Sequence, residues 1–95
     1  MEWQGSPKQI EYAKSVVEKF ADEIEALLIE VEQLRANGAE ITDGVDPDAE
    51  IAAYRAGLAR LKRVRSARWI LDKARIWGAE HTVRYLADPK NKLLV

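Results

Sequence analysis

The chain has 95 residues, 33% of them charged and 47% hydrophobic, with fifteen basic against sixteen acidic side chains and a net charge of -1. That length allows one small domain, and that composition is neither disordered nor membrane-buried. With no cysteine and one histidine, His81, disulfide frameworks, thiolate metal sites and multi-histidine metal sites are excluded.

The first element opens at Ser6-Pro7-Lys8-Gln9, where Ser6 caps the helix, Gln9 reaches back and Pro7 occupies N1. Apolar residues then recur at Ile10, Ala13, Val17, Phe20, Ile24, Leu27, Val31 and Leu34, a three-four alternation over four heptads. Val16, Ala21 and Leu28 widen the stripe, so the helix faces more than one neighbour, while Ile29 lies opposite it. Asn37-Gly38 closes a helix of about 7–37, a rod of about 45 Å.

A polar connection follows, and Asp46-Pro47 starts a second helix, about 47–64, on Ile51, Tyr54, Leu58 and Leu61. Continuing that heptad would bury Arg65 and Arg68, and the apolar phase moves to Val64, Ala67, Leu71 and Ala74 instead. A break near Arg65 is therefore expected, with Ser66 capping a third helix, about 67–77. Gly78 ends it, and a fourth helix, about 80–87, stops at Asp88-Pro89. The tail, 88–95, is expected to be mobile unless Leu93, Leu94 and Val95 dock. No stretch alternates as a strand does. The expected fold is all-α, a long antiparallel helical hairpin with one or two shorter C-terminal helices on it, in a single domain over 1–95.

Charge is segregated along the chain. Residues 11–50 hold twelve acids and three bases, whereas residues 51–77 hold eight bases and one acid. Glu11, Glu18, Glu25 and Glu32 recur every seven residues on one helix line. A rod carrying Glu18, Asp22, Glu25 and Glu32, with Asp43, Asp46 and Asp48 beside it, fits a basic channel built to attract phosphate. The same acids also suit pairing with the chain's own basic second helix. The rival surface is basic: Arg60, Arg63, Arg65 and Arg68, near Trp69 and Trp77, suit gripping a nucleic-acid backbone. A third reading is a structural module that forms a homodimer through its apolar seam. Nothing in the residue pattern points to catalysis or to a cofactor. His81 has no nucleophile set near it in sequence, and Asp43-x-x-Asp46-x-Asp48-x-Glu50 misses the spacing of a calcium loop. No N-terminal run resembles a signal peptide and no apolar stretch reaches bilayer length, so a cytoplasmic location is expected.

Two segments carry a resemblance. Gly5-Ser6-Pro7-Lys8-Gln9-Ile10-Glu11-Tyr12-Ala13 resembles the Gly-Ser-x-Lys-Gln-Ile/Val-x-Trp-Ala opening of small proteins encoded by bacteriophages and other mobile elements. Ser66-Ala67-Arg68-Trp69-Ile70-Leu71-Asp72 is similar to a second motif of that group, Ala-x-Trp/Val-Trp/Ile-Ile-Asp-x-Arg. Tyr12 stands where tryptophan is usual, and Ala74 where arginine is. At least one protein of this kind is a type I anti-CRISPR. The resemblance thus implies a non-enzymatic inhibitor acting in an infected bacterial cell, which binds a Cas protein and blocks target-DNA recognition or nuclease recruitment. An ion pair between Lys8 and Asp72 is expected to join the two motifs.

Overall fold

A computed structural model describes residues 2–38 and 46–91. Four helices account for most of them, in an elongated body of 47 × 25 × 22 Å. Helix α1, Pro7–Ala36, sets the long axis. The expected capping box is present: Ser6 Oγ accepts from Gln9 N at 3.3 Å, and Gln9 Oε1 accepts from Ser6 N at 3.1 Å. Two orphan amides of the first turn are thereby satisfied.

Helix α2, Pro47–Leu61, is capped by Asp46 and lies antiparallel to the C-terminal half of α1. Glu25 faces Lys62, Glu32 faces Arg55 and Arg35 faces Asp48, so numbers rise on one helix as they fall on the other. α2 stops at Leu61, three residues short of the expected 64, because following the heptad further would carry Arg65 inward. The chain instead turns through 62–65 and buries Val64 completely.

Helix α3, 67–77, starts at a Ser66 cap that accepts from Trp69 N at 3.2 Å. It is helical throughout but contains one π-helical turn, Ile70–Ala74, in which Arg75 N bonds to Ile70 O. Ile70 is fully buried and Leu71 only half-buried, so the core position expected of Leu71 belongs to Ile70. The π turn also aligns two tryptophans. On a plain α-helix residues eight apart diverge by about 80°, whereas absorbing one extra residue reduces this to about 20°. Trp69 and Trp77 accordingly meet edge to face with ring centroids 6.0 Å apart.

Helix α4, Ala79–Ala87, follows Gly78 and packs mainly on α2. Tyr54 meets Glu80, Gly57 meets Val83, and Arg60 reaches Leu86 O. Each pair is 26 residues apart, the mark of two helices running in the same direction. Gly57 makes this possible: a β-carbon there would lie 2.1 Å from the Val83 carbonyl oxygen.

The two motif segments meet at one end of the molecule. Gln4 bridges Ser66 through Gln4 N to Arg65 O at 2.6 Å and Ala67 N to Gln4 O at 3.0 Å. Gly5, at φ +136°, presses on Ala67, whose Cβ would be 3.0 Å from a β-carbon at position 5. The motifs therefore join through backbone and close packing. The expected Lys8–Asp72 ion pair is not made: Asp72 pairs with Arg68, one turn back on its own helix, at 3.3 Å. The local partner wins because neither side chain must be held across a gap between helices.

The core runs along α1 through Ala13, Phe20, Ile24, Leu28 and Val31, and is completed by Tyr54, Leu61, Ile70, Val83 and Leu86. The apolar stripe of α1 thus packs largely against the chain's own helices, with Ile10, Val17 and Leu27 partly buried at its margins. No described helix is long and apolar enough to cross a membrane.

Candidate functional site

The acidic residues of α1 divide into two groups. Glu25 and Glu32 lie on the flank next to α2 and take Lys62 (3.6 Å) and Arg55 as partners. Asp48 pairs with Arg35 at 2.8 Å, and Asp46 is the α2 cap, its Oδ1 accepting from Asp48 N at 3.0 Å. These three ion pairs are substantially exposed, so each contributes about 0–1 kcal/mol and mainly neutralises charge. Asp43 lies outside the described residues.

Glu18 and Asp22 differ. Both are exposed, and with Glu11 they make no ion pair among the described residues. Spacings of seven and four keep Glu11, Glu18 and Asp22 within about 20° of one line, and Ile29, 58% exposed, continues it. This line of α1 therefore carries three carboxylates without ion pairs among the described residues, followed by an uncovered aliphatic side chain.

The basic residues do not form a matching open surface. Arg60 is half-buried and donates to Leu86 O and Asp88 O. Arg65 donates to Lys62 O and Val64 O and lies 5.5 Å over the Trp3 ring. Arg68 pairs with Asp72. Of the four, Arg63 alone is exposed with no side-chain partner among the described residues. The cations expected to grip a phosphate backbone are mostly spent on closing the turn between α2 and α3 and holding the end of α4.

α4 carries a cluster that the sequence reading did not assemble. Tyr54 Oη donates to Glu80 Oε1 at 2.9 Å and accepts from Arg84 Nη2 at 3.0 Å. Arg84 also grips Glu50 with two bonds, 3.1 and 2.7 Å. Burial, and then the bond to Glu80, push the Tyr54 hydroxyl up to about 12. Bonds from Tyr54 and Arg84 hold the Glu80 carboxyl below its ordinary range, and the Glu50 carboxylate raises Arg84. The spacing Glu80–Arg84 was the one available signal; Tyr54 and Glu50 join them only through the fold.

Beside this network runs a groove of about 690 Å³ along the outer face of α4. Trp77, His81 and Tyr85 supply its aromatic wall, with Trp77 stacked on His81 at 4.9 Å and tilted on Tyr85 at 5.0 Å. Glu80, Arg84, Asp88 and Asn91 supply its polar rim. Trp69 backs the aromatic layer. Among the described residues no side-chain hydrogen bond orients His81, and no group of three acidic or histidine side chains is placed to hold a metal ion. No protein family, no curated protein and no solved structure matches this chain.

Proposed function

We propose that this chain is a non-catalytic inhibitor of the anti-CRISPR type, which binds a Cas protein of a type I system and blocks its recognition of target DNA. One observation carries the reading: Glu11, Glu18 and Asp22 stand on the outward line of a long helix with no ion pair among the described residues, and Ile29 is uncovered beyond them. Carboxylates at regular helical spacing suit a groove lined with the lysines and arginines that hold nucleic-acid phosphates. An apolar residue beside them adds area that a phosphate backbone does not offer. The two motif segments narrow the partner to a Cas protein by their resemblance alone. Glu25, Glu32 and Asp48, which hold cations of their own, contribute less than Glu18 and Asp22.

The test is a target-DNA binding assay with a panel of purified type I effector complexes. The wild-type protein is expected to abolish the DNA shift by one of them. Glu18→Lys combined with Asp22→Lys should lose this effect, and Glu32→Gln should keep it. A protein that shifts DNA without any Cas complex, or leaves DNA binding by every complex intact, refutes the proposal.

A further inference from the structure

We propose that the groove on α4 is a binding site for an arginine side chain of a protein partner. The inference is separate from the α1 reading, since the groove lies on another helix and needs no particular partner protein.

The wall is aromatic and continuous. Trp77 stacks on His81 and tilts against Tyr85, and Trp69 meets both Trp77 and Tyr85 from behind, so the rings are held in place before anything binds. The faces of Trp and Tyr rings are negative, and attract a cation within about 6 Å of the ring centre.

The rim sets the sign of the ligand. Glu80 is 56% exposed, and its second carboxylate oxygen has no partner among the described residues. Asp88 accepts from Lys90 N through Oδ1 at 2.9 Å, and among the described residues Oδ2 has no partner. Among the described residues Arg84 is the only cation lining the groove; Glu50 holds it by two bonds, and it pairs with Glu80 Oε1 at 3.1 Å. The lining therefore carries two carboxylates against one guanidinium, beside aromatic rings inclined to one another. A nucleobase would fit the wall, but its phosphate would meet Glu80 and Asp88. A lysine would satisfy the charge but could not stack on a ring. A guanidinium satisfies both, since it stacks on a ring and presents a planar fork to a carboxylate. Groove size is no obstacle, falling within the usual range of ligand sites.

Two-dimensional amide NMR of the full chain, titrated with tri-arginine, tri-lysine and a short thymidine oligonucleotide, tests this. The indole resonances of Trp3, Trp69 and Trp77 report separately. Tri-arginine is expected to shift the Trp77 indole and the amides of His81, Tyr85, Asp88 and Asn91 saturably. Tri-lysine should bind about three- to tenfold more weakly. Asp88→Asn, which keeps the bond from Lys90 N, should weaken tri-arginine binding by a similar factor with an unchanged circular dichroism spectrum. Four results would overturn the proposal: shifts confined to the acidic line of α1, equal response to tri-lysine, tighter binding of the oligonucleotide, or Trp77 shifts that follow protein concentration without peptide. Loss of the DNA-blocking effect leaves this titration unaffected, so the two proposals fail separately.

Discussion

Replacing Gly57 by alanine sets two physical effects against each other. In an exposed helix interior, Gly→Ala stabilises by about 1 kcal/mol, because alanine has less backbone freedom to lose. Here the added β-carbon would lie 2.1 Å from the Val83 carbonyl oxygen, 2.6 Å from Val83 Cγ1 and 2.8 Å from the Val83 carbonyl carbon. Two of those three neighbours are backbone, so no side-chain rotation relieves the clash. α2 and α4 must separate by about 1 Å to reach the closest contacts β-carbons tolerate. A gap of that size forfeits roughly a quarter to a half of the dispersion energy of the atoms lining it. It would also stretch Tyr54–Glu80 and Arg84–Glu50, which span the same two helices. Overpacking costs about 1–3 kcal/mol, and backbone on the facing side places this case near the upper end. Set against the gain in propensity, the net loss is about 2 kcal/mol, and Tm should fall by about 8–16 °C in a domain of this size. Thermal denaturation followed by circular dichroism measures it, with Ala56→Gly at the exposed neighbouring position as control. That control should lose about 1 kcal/mol by propensity alone. A Gly57→Ala protein with an unchanged or raised Tm would mean that α4 does not lie on α2 at this point.

Two further outcomes follow from the same helix pair and from the π turn. The Tyr54 hydroxyl titrates near 10 in the unfolded chain and about 12 in the folded one, so its contribution is complete below pH 10 and is lost as pH rises from 10 to 12. A shift of that size corresponds to roughly 2–3 kcal/mol, and Tyr54→Phe should remove this part of the alkaline transition in denaturant titrations. A steep loss persisting between pH 10 and 12 in Tyr54→Phe would count against it. Deleting the exposed Lys73 should convert the π turn into ordinary α-helix while leaving Trp69, Ile70, Ala74 and Trp77 on their present sides. The shortened chain is expected to fold with a near-native near-ultraviolet tryptophan spectrum, and a loss of that spectrum would contradict the register assigned to α3.

Helix existence was legible because it depends on neighbours in sequence. The Ser6 and Asp46 caps, the prolines at N1 and the three-four spacing on α1 act within a few residues and need no partner. The breakdown of the second heptad at Arg65 likewise announced the break before Ser66. Where the break falls was less visible: α2 ends at Leu61 because the turn through 62–65 has to deliver Val64 to the core and Arg65 to Trp3. The π turn was not legible: the spacing gave the buried position to Leu71, whereas Ile70 fills it against α1.

Of the candidate surface, the residue types and the helix line of the acids came from the sequence alone, since a period of seven is a local property. Which acids remain open did not. Glu18 and Glu25 occupy equivalent places in that period, yet Glu25 pairs with Lys62 of the following turn while Glu18 makes no ion pair among the described residues, because α2 covers only the C-terminal half of α1. The α4 groove is the extreme case, with Trp77 brought to His81 and Tyr85 by a turn at Gly78, and Glu50 to Arg84 across 34 residues. Periodicity and caps determine which segments become helices. Which side chains are left unsatisfied once those helices meet depends on contacts between distant residues, and only the folded chain decides it.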